Sequence, residues 1–158
     1  MSFKSVTTVK IAGPAGAGIK SSGQLLSHIL LNHGFHLHDY SEYPSLVRGG
    51  HNTYQVSFSA KPVSAAYRSV DIFFSLQPKH WQAHISEFTE NTLVFADEAT
   101  ESSTDFGFNQ IPFSQFASEL KSSLYLNTAC IGVVVYLLSL DKELSLNIIA
   151  KTFGSDSP

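Results

Sequence analysis

Apolar positions along this chain switch between a strand-like and a helix-like period. Val6 to Ala12 is a β-branched apolar run and predicts a buried strand. From Lys20 to His33, Leu25, Leu26, Ile29 and Leu30 recur at i, i+1, i+4 and i+5, the stripe of a helix laid on a sheet, with Gly34 as its C-cap. Phe35 to Tyr40 alternates and predicts a second strand, followed by a loop from Ser41 to Gly50. His51 to Ala60 sets Tyr54, Val56 and Phe58 against Gln55, Ser57 and Ser59, the pattern of a half-buried strand. Val70 to Leu76 and Thr92 to Ala96 predict two short buried strands, and Pro78 opens a helix reaching about Phe88. Thr100 to Phe108 is polar and predicts a mobile loop. Gln110 to Phe113 is expected as a short strand, with Ser114 capping a helix to Lys121. Thr128 to Leu140 is apolar on nearly all sides and predicts a buried helix. Leu144 to Phe153 predicts a last one.

Alternating strands and helices specify an α/β class, here a three-layer α/β/α sandwich with a mostly parallel sheet. Two strands lie between Phe35 and Ala60 with no helix between them, so the sheet is expected to be mixed. Residues 1–153 are read as one domain and 154–158 as a disordered tail. A helix apolar all round needs cover on its outer face, which points to an oligomer or a partner subunit.

Composition narrows the function classes. Net charge is −3 with no long basic run, which argues against nucleic-acid binding. The single cysteine, Cys130, excludes an internal disulfide and a cysteine-ligated cluster within this chain; in its apolar helix it is expected to be buried and inert. The N-terminus lacks the apolar core of a signal peptide. The longest apolar run, Ala129 to Leu138, falls short of the roughly 20 residues of a membrane span. A soluble cytoplasmic protein is the expectation.

The main candidate chemistry is the loop after the first strand, Gly13-Pro14-Ala15-Gly16-Ala17-Gly18-Ile19-Lys20-Ser21. Small residues let a ligand touch backbone, and a helix start offers free N–H groups and partial positive charge to a phosphate or carboxylate. The order Gly13-x-x-Gly16-x-Gly18 does not match the dinucleotide fingerprint G-x-G-x-x-G, although Asp39 lies near the place of its ribose acid. Gly13 and Gly18 have the Walker A gap, but Ile19 precedes Lys20-Ser21 and turns the lysine by about 100° on the helix. Glycines serving only close packing are the bland alternative. A second unusual segment runs Glu42-Tyr43-Pro44-Ser45-Leu46-Val47-Arg48-Gly49-Gly50-His51-Asn52, at a strand end where α/β folds place ligands. Arg48 can fork onto a phosphate or carboxylate, and Gly49-Gly50 allow close backbone approach; a solvated arginine beside a turn is the bland reading.

Together the two loops resemble the gamma domain of the 2-oxoacid:ferredoxin (acceptor) oxidoreductases, over almost the whole chain. Asn127-Thr128 falls where that family often has an asparagine opening the apolar helix. The likeness is greatest to the gamma domain at the N-terminus of fused alpha subunits of the 2-oxoglutarate type. It implies a part of an enzyme that oxidatively decarboxylates a 2-oxoacid to an acyl-coenzyme A and passes electrons to ferredoxin or a similar acceptor. Thiamine diphosphate, Mg and iron–sulfur clusters would lie on partner alpha and beta subunits or domains. Here the implied role is assembly and contact with coenzyme A through Gly13, Gly16, Ala17, Gly18, Ile19, Lys20, Ser21, Glu42, Arg48, Gly49, Gly50 and Asn127, with no catalytic residue and no metal ligand. Ala17 stands where many gamma subunits carry glutamine, leaving phosphate contacts to backbone, Lys20 and Ser21. The chain ends early for a fused subunit, implying a fragment or a split subunit. The readings set against this are a stand-alone Rossmann-like nucleotide-binding module and a purely structural subunit.

Other candidates are weaker. His80 and His84 have metal-compatible i, i+4 spacing but no third ligand, so a solvated helix face is expected. His36 and His38 share one strand face and are read as an exposed or sheet-end pair. Asp97-Glu98 follows a strand and either orients a substrate or caps a loop. No Ser/His/Asp set or carboxylate pair stands out.

Overall fold

A computed structural model describes residues 5–43, 50–77, 80–96, 106–120 and 124–153. Its centre is strand β1 (Thr7–Pro14), whose β-branched run is buried between two neighbours of opposite sense. Helix α1 (Ile19–Asn32) follows, then the hairpin-like pair β2 (His36–Glu42) and β3 (His51–Ser59). The chain then crosses to β4 (Ile72–Ser75), a 3₁₀ helix (His80–Glu87), β5 (Leu93–Ala96) and β6 (Gly107–Gln110). Helices α2 (Phe113–Leu120), α3 (Leu124–Leu137) and α4 (Lys142–Phe153) complete it. Sheet order is β2-β3-β1-β4-β5-β6. β3 is antiparallel to both β1 and β2, while β1, β4, β5 and β6 run parallel, so the expected mixed sheet is present.

Register divides the sheet into two unlike faces. Val9 opposes Val56 and Ile11 opposes Tyr54, and these side chains meet Leu25, Leu26, Ile29 and Leu30 of α1 in the larger core, to which α3 adds Cys130, Ile131 and Val134. α1 sits close because it carries Gly23 where any Cβ would lie 2.0 Å from the Tyr54 ring. It ends as the sequence indicates: Gly34 takes φ +83°, its N–H donates to the Leu31 carbonyl and that of Phe35 to the Leu30 carbonyl, a Schellman closure. The alternate residues of β1, Thr8, Lys10 and Ala12, face the other way, beside Ser57, Gln55 and Thr53. Near Ala12, that side is closed by a smaller core of Val70, Phe73, Val94 and Ala96 around Trp81.

Three elements depart from the sequence reading. The segment expected as an α-helix up to Phe88 is a 3₁₀ helix. With three residues per turn, Trp81, His84 and Glu87 align on the one edge that faces the sheet; Trp81 and His84 are buried and Glu87 is four-fifths so. The last strand comes earlier than expected, at Gly107–Gln110, because Phe106 and Phe108 pack on Trp81 and draw this stretch in beside β5. Residues 100–105 of the expected polar loop lie outside the described residues, as does the tail 154–158. α2 begins at Phe113, so Ser114 is inside that helix and does not cap it.

Candidate functional site

The glycine loop joins β1 to α1 at the edge where β3 begins. The Ala15 N–H donates to the Gly50 carbonyl at 3.0 Å, which ties the loop to the start of β3. Gly16 and Gly18 have φ of +85° and +73°, a region that L side chains rarely enter, so the turn itself requires both. At Gly13 the packing is tight: a Cβ there would lie 2.9 Å from the end of the Ile19 side chain and 3.2 Å from Leu76 Cβ. Over Gly16 nothing lies within 4 Å of such a Cβ, so the turn is open on its outer side.

The start of α1 is uncapped. Gly18 is its N-cap with no side-chain hydrogen bond, and the first turn holds no acidic residue. The first N–H groups of a helix have no intrahelical acceptor, and among the described residues no side chain caps them. Lys20 and Ser21 are exposed on that turn, and among the described residues neither side chain has a partner. Ser22 is turned inward and donates to the Gly18 carbonyl at 2.8 Å.

Asn127 comes to the same loop from 110 residues further along. Its Nδ2 donates to the Ala17 carbonyl at 2.7 Å, while its Oδ1 is buried with no partner among the described residues. The structure thus gathers Gly13, Gly16, Ala17, Gly18, Ile19, Lys20, Ser21, Gly50 and Asn127 at one end of the sheet. Arg48 and Gly49 lie outside the described residues. Glu42 is on the other sheet face, where it accepts from Tyr40 at 2.9 Å and from Thr53 at 3.3 Å. Asp39 is spent on structure, accepting from Ser27 of α1 and Tyr54 of β3.

The sequence reading missed a buried polar chain on that second face. Lys10, 2% exposed on the central strand, donates to Glu87 Oε2 at 2.7 Å and lies 4.0 Å from Glu42. Glu87 Oε1 lies 2.8 Å from His84 Nδ1, and His84 Nε2 lies 2.7 Å from His51 Nε2. Burial raises the Glu87 pKa, but hydrogen bonds from His84 and Lys10 and their charges outweigh it and leave the carboxyl below its usual range. Burial, then the bond to Glu42, pushes the Tyr40 phenol up to about 12. His84 is therefore not on the solvated face expected for it: it is 6% exposed. The available signal was Lys10 itself, a lone cation at an inward position of an apolar strand. Cys130 is fully buried, and burial pushes its thiol well above the usual range, as an inert core cysteine requires. Among the described residues no three His, Cys, Asp or Glu side chains are grouped to hold a metal ion, and no helix is long and apolar enough to cross a membrane.

Comparison with known proteins places this architecture. The chain is 29% identical over 155 residues to the ketoisovalerate oxidoreductase subunit VorA of Methanothermobacter marburgensis, covering 92% of this chain and 32% of that subunit. The 2-oxoglutarate:ferredoxin oxidoreductase of Magnetococcus marinus, solved with 2-oxoglutarate, coenzyme A and succinyl-CoA bound, matches 99% of this chain with a TM-score of 0.87 at 22% identity; that match takes in 28% of the larger chain. The gamma subunit of a keto/oxoacid ferredoxin oxidoreductase from Geobacter sulfurreducens matches with a TM-score of 0.73 at 14% identity, over 96% of this chain and 87% of that one. This chain therefore spans about a third of the curated relative and nearly the whole of the separate gamma subunit. The family model for pyruvate ferredoxin/flavodoxin oxidoreductase matches residues 8–157, and the chain belongs to that family, with the fold of its gamma subunits.

Proposed function

We propose that this chain is the gamma-type part of a 2-oxoacid:ferredoxin (acceptor) oxidoreductase and that its glycine loop holds the phosphates of coenzyme A. The observation that carries this reading is the uncapped, acid-free start of α1 beneath an open turn, bearing Lys20 and Ser21, whose side chains have no partner among the described residues. Backbone N–H groups and an ammonium there suit a phosphate. The orphaned Asn127 Oδ1 supports it further, since a buried acceptor calls for a donor and coenzyme A carries amide and amine N–H groups. On this reading Arg48 adds a second cation from the segment before Gly50. A single, inert cysteine cannot supply the thiolates of an iron–sulfur cluster, so clusters are assigned to partner alpha and beta subunits or domains, and the family resemblance implies the same for thiamine diphosphate and Mg. The oxidative decarboxylation itself is then theirs, and this chain binds and positions.

An assembly role is supported by α3 and α4. Tyr136 is 81% exposed and Leu146 52%, beside a cleft of about 590 Å³ also lined by Val135, Leu140 and Ile149. Among the described residues nothing covers this outer face of the apolar helix, and a partner subunit would cover it.

Thermal unfolding with coenzyme A, ATP and NAD tests the ligand. At a hundredfold excess over Kd, coenzyme A is expected to add about 2.7 kcal/mol. Lys20→Ala should abolish that shift while leaving the unliganded midpoint unchanged. A shift with NAD or ATP alone would favour a nucleotide-binding module. No shift in the complex co-purified with its thiamine-binding subunits would favour a structural subunit.

A further inference from the structure

Glycine shapes the turn between β1 and α1 at two places, and a distant side chain shapes it at a third. Gly16 and Gly18 supply the positive φ. A glycine also accepts either sense of the peptide before it at little cost, because it populates φ of both signs. The sense of the Ala17–Gly18 peptide is therefore left open by the loop's own residues. Asn127 settles it. From a position on α3 that is 5% exposed, its Nδ2 donates to the Ala17 carbonyl at 2.7 Å. A carbonyl only accepts, so the same contact fixes which end of the Asn127 amide is nitrogen.

The Ala17 carbonyl thus points toward α3. Among the described residues no peptide bond is cis, and in a trans peptide the C=O and N–H point opposite ways. The Gly18 N–H consequently points away from α3, and among the described residues no backbone acceptor takes it. Earlier donors of the turn are already used: the Ala15 N–H goes to the Gly50 carbonyl and that of Ala17 to the Pro14 carbonyl. Beyond Gly18, the first helical bond runs from the Ser22 N–H to the Gly18 carbonyl. Gly18 therefore heads a row of free N–H groups that continues through Ile19, Lys20 and Ser21. The reverse sense would put the Ala17 carbonyl at the head of that row, where it repels an anion. For stability alone the amide is a costly choice. Its Oδ1 is buried with no partner among the described residues, and a leucine would fill similar space without a stranded acceptor.

We propose that Asn127 is a positioning residue, which holds the Ala17–Gly18 peptide carbonyl-inward and so aims the leading N–H of the loop at a bound anion. The peptide sense stands on geometry alone; its use toward an anion rests on the coenzyme A reading. Asn127→Asp removes the donor and offers a carboxylate, which takes the Gly18 N–H with the peptide reversed.

NMR of the full chain without ligand tests the peptide sense. In Asn127→Asp the hydrogen-exchange protection of the Gly18 amide should rise about tenfold or more, the worth of one hydrogen bond to a charged group. The sequential Overhauser effect between Ala17 Hα and the Gly18 amide proton should change in strength, since reversal turns the Ala17 ψ by roughly 150°. Asn127→Leu also lacks the donor and carries no charge, so the same Overhauser change is expected there even if the aspartate variant does not fold. Its unfolding midpoint should stay close to that of the wild type, whereas a merely structural asparagine would lower it and leave the peptide as it was. Inorganic pyrophosphate, which has no N–H to offer Asn127 Oδ1, is the ligand probe. It should shift the Gly18 amide resonance of the wild type and bind about tenfold more weakly to Asn127→Leu. An Overhauser effect that is the same in wild type and variants overturns the proposal. So does pyrophosphate binding of equal strength in wild type and Asn127→Leu. If the wild type binds neither pyrophosphate nor coenzyme A, the ligand reading fails, and the Overhauser effect still decides the role of Asn127.

Discussion

The two faces of the sheet solve the burial problem differently. Toward α1 the side chains of β1, β3 and β4 are held mainly by buried apolar area, with Ile11, Phe58 and Phe74 all but inaccessible and the bonds of Tyr54 and Ser27 to Asp39 as the polar exception. Toward the 3₁₀ helix the same strands present Thr8, Lys10, Thr53, Gln55 and Ser57, and burial is made tolerable by hydrogen bonds running from strand to strand. An apolar face tolerates any arrangement that keeps its volume. A polar face needs each partner in place, because a buried donor or charge left alone is expensive. The apolar face therefore carries stability, while the polar face fixes how the 3₁₀ helix and β3 sit relative to the loop.

Truncation on the apolar face should have the largest effect. Phe74→Ala, at a fully buried ring stacked 5.0 Å from Phe95, is expected to destabilise by about 3–5 kcal/mol in urea unfolding. On the polar face Lys10→Ala should lose about 3 kcal/mol, the low end for breaking a buried pair, because Glu87 keeps some exposure. The contrast sharpens with the double variant Lys10→Met/Glu87→Gln. Removing both charges should recover most of that loss, whereas no second polar change rescues Phe74→Ala. At the loop joining the faces, Gly18→Ala should cost about 1–2 kcal/mol, since alanine must adopt φ near +73°. The smallest effect is a pH dependence. The folded Glu87 carboxyl lies below its ordinary value of 4.5, so its contribution is fully present above that pH and is lost as pH falls through the lowered value. Acid unfolding curves of Glu87→Gln should be correspondingly flatter below pH 4.5. Equal slopes in both proteins would show that the polar face holds by packing after all.

Much of the fold is legible in the chain because it rests on local period and punctuation. The stripe at Leu25, Leu26, Ile29 and Leu30 places α1, and Gly34 ends it one residue past its cap. The alternation about Tyr54, Val56 and Phe58 gives β3 and, with no helix before it, the antiparallel pair. The elements misread are those decided by distant partners. Gly107–Gln110 becomes a strand because Phe106 and Phe108 find Trp81, and no local pattern says so. The 3₁₀ helix takes its tighter pitch because Trp81, His84 and Glu87 must all face the sheet at once.

The sequence by itself determined the class of fold, the turn at Gly16 and Gly18, and the cationic, uncapped start of α1. These follow from backbone freedom and from neighbours a few residues away. Only the tertiary structure decided that Asn127 comes to the loop with an unsatisfied oxygen, that Asp39 and Glu42 are held by neighbouring side chains, and that Lys10 is neutralised by Glu87. Those pairings join residues tens of positions apart, and the hydrogen bonds that make them exist only once strand register has set which side chains share a face.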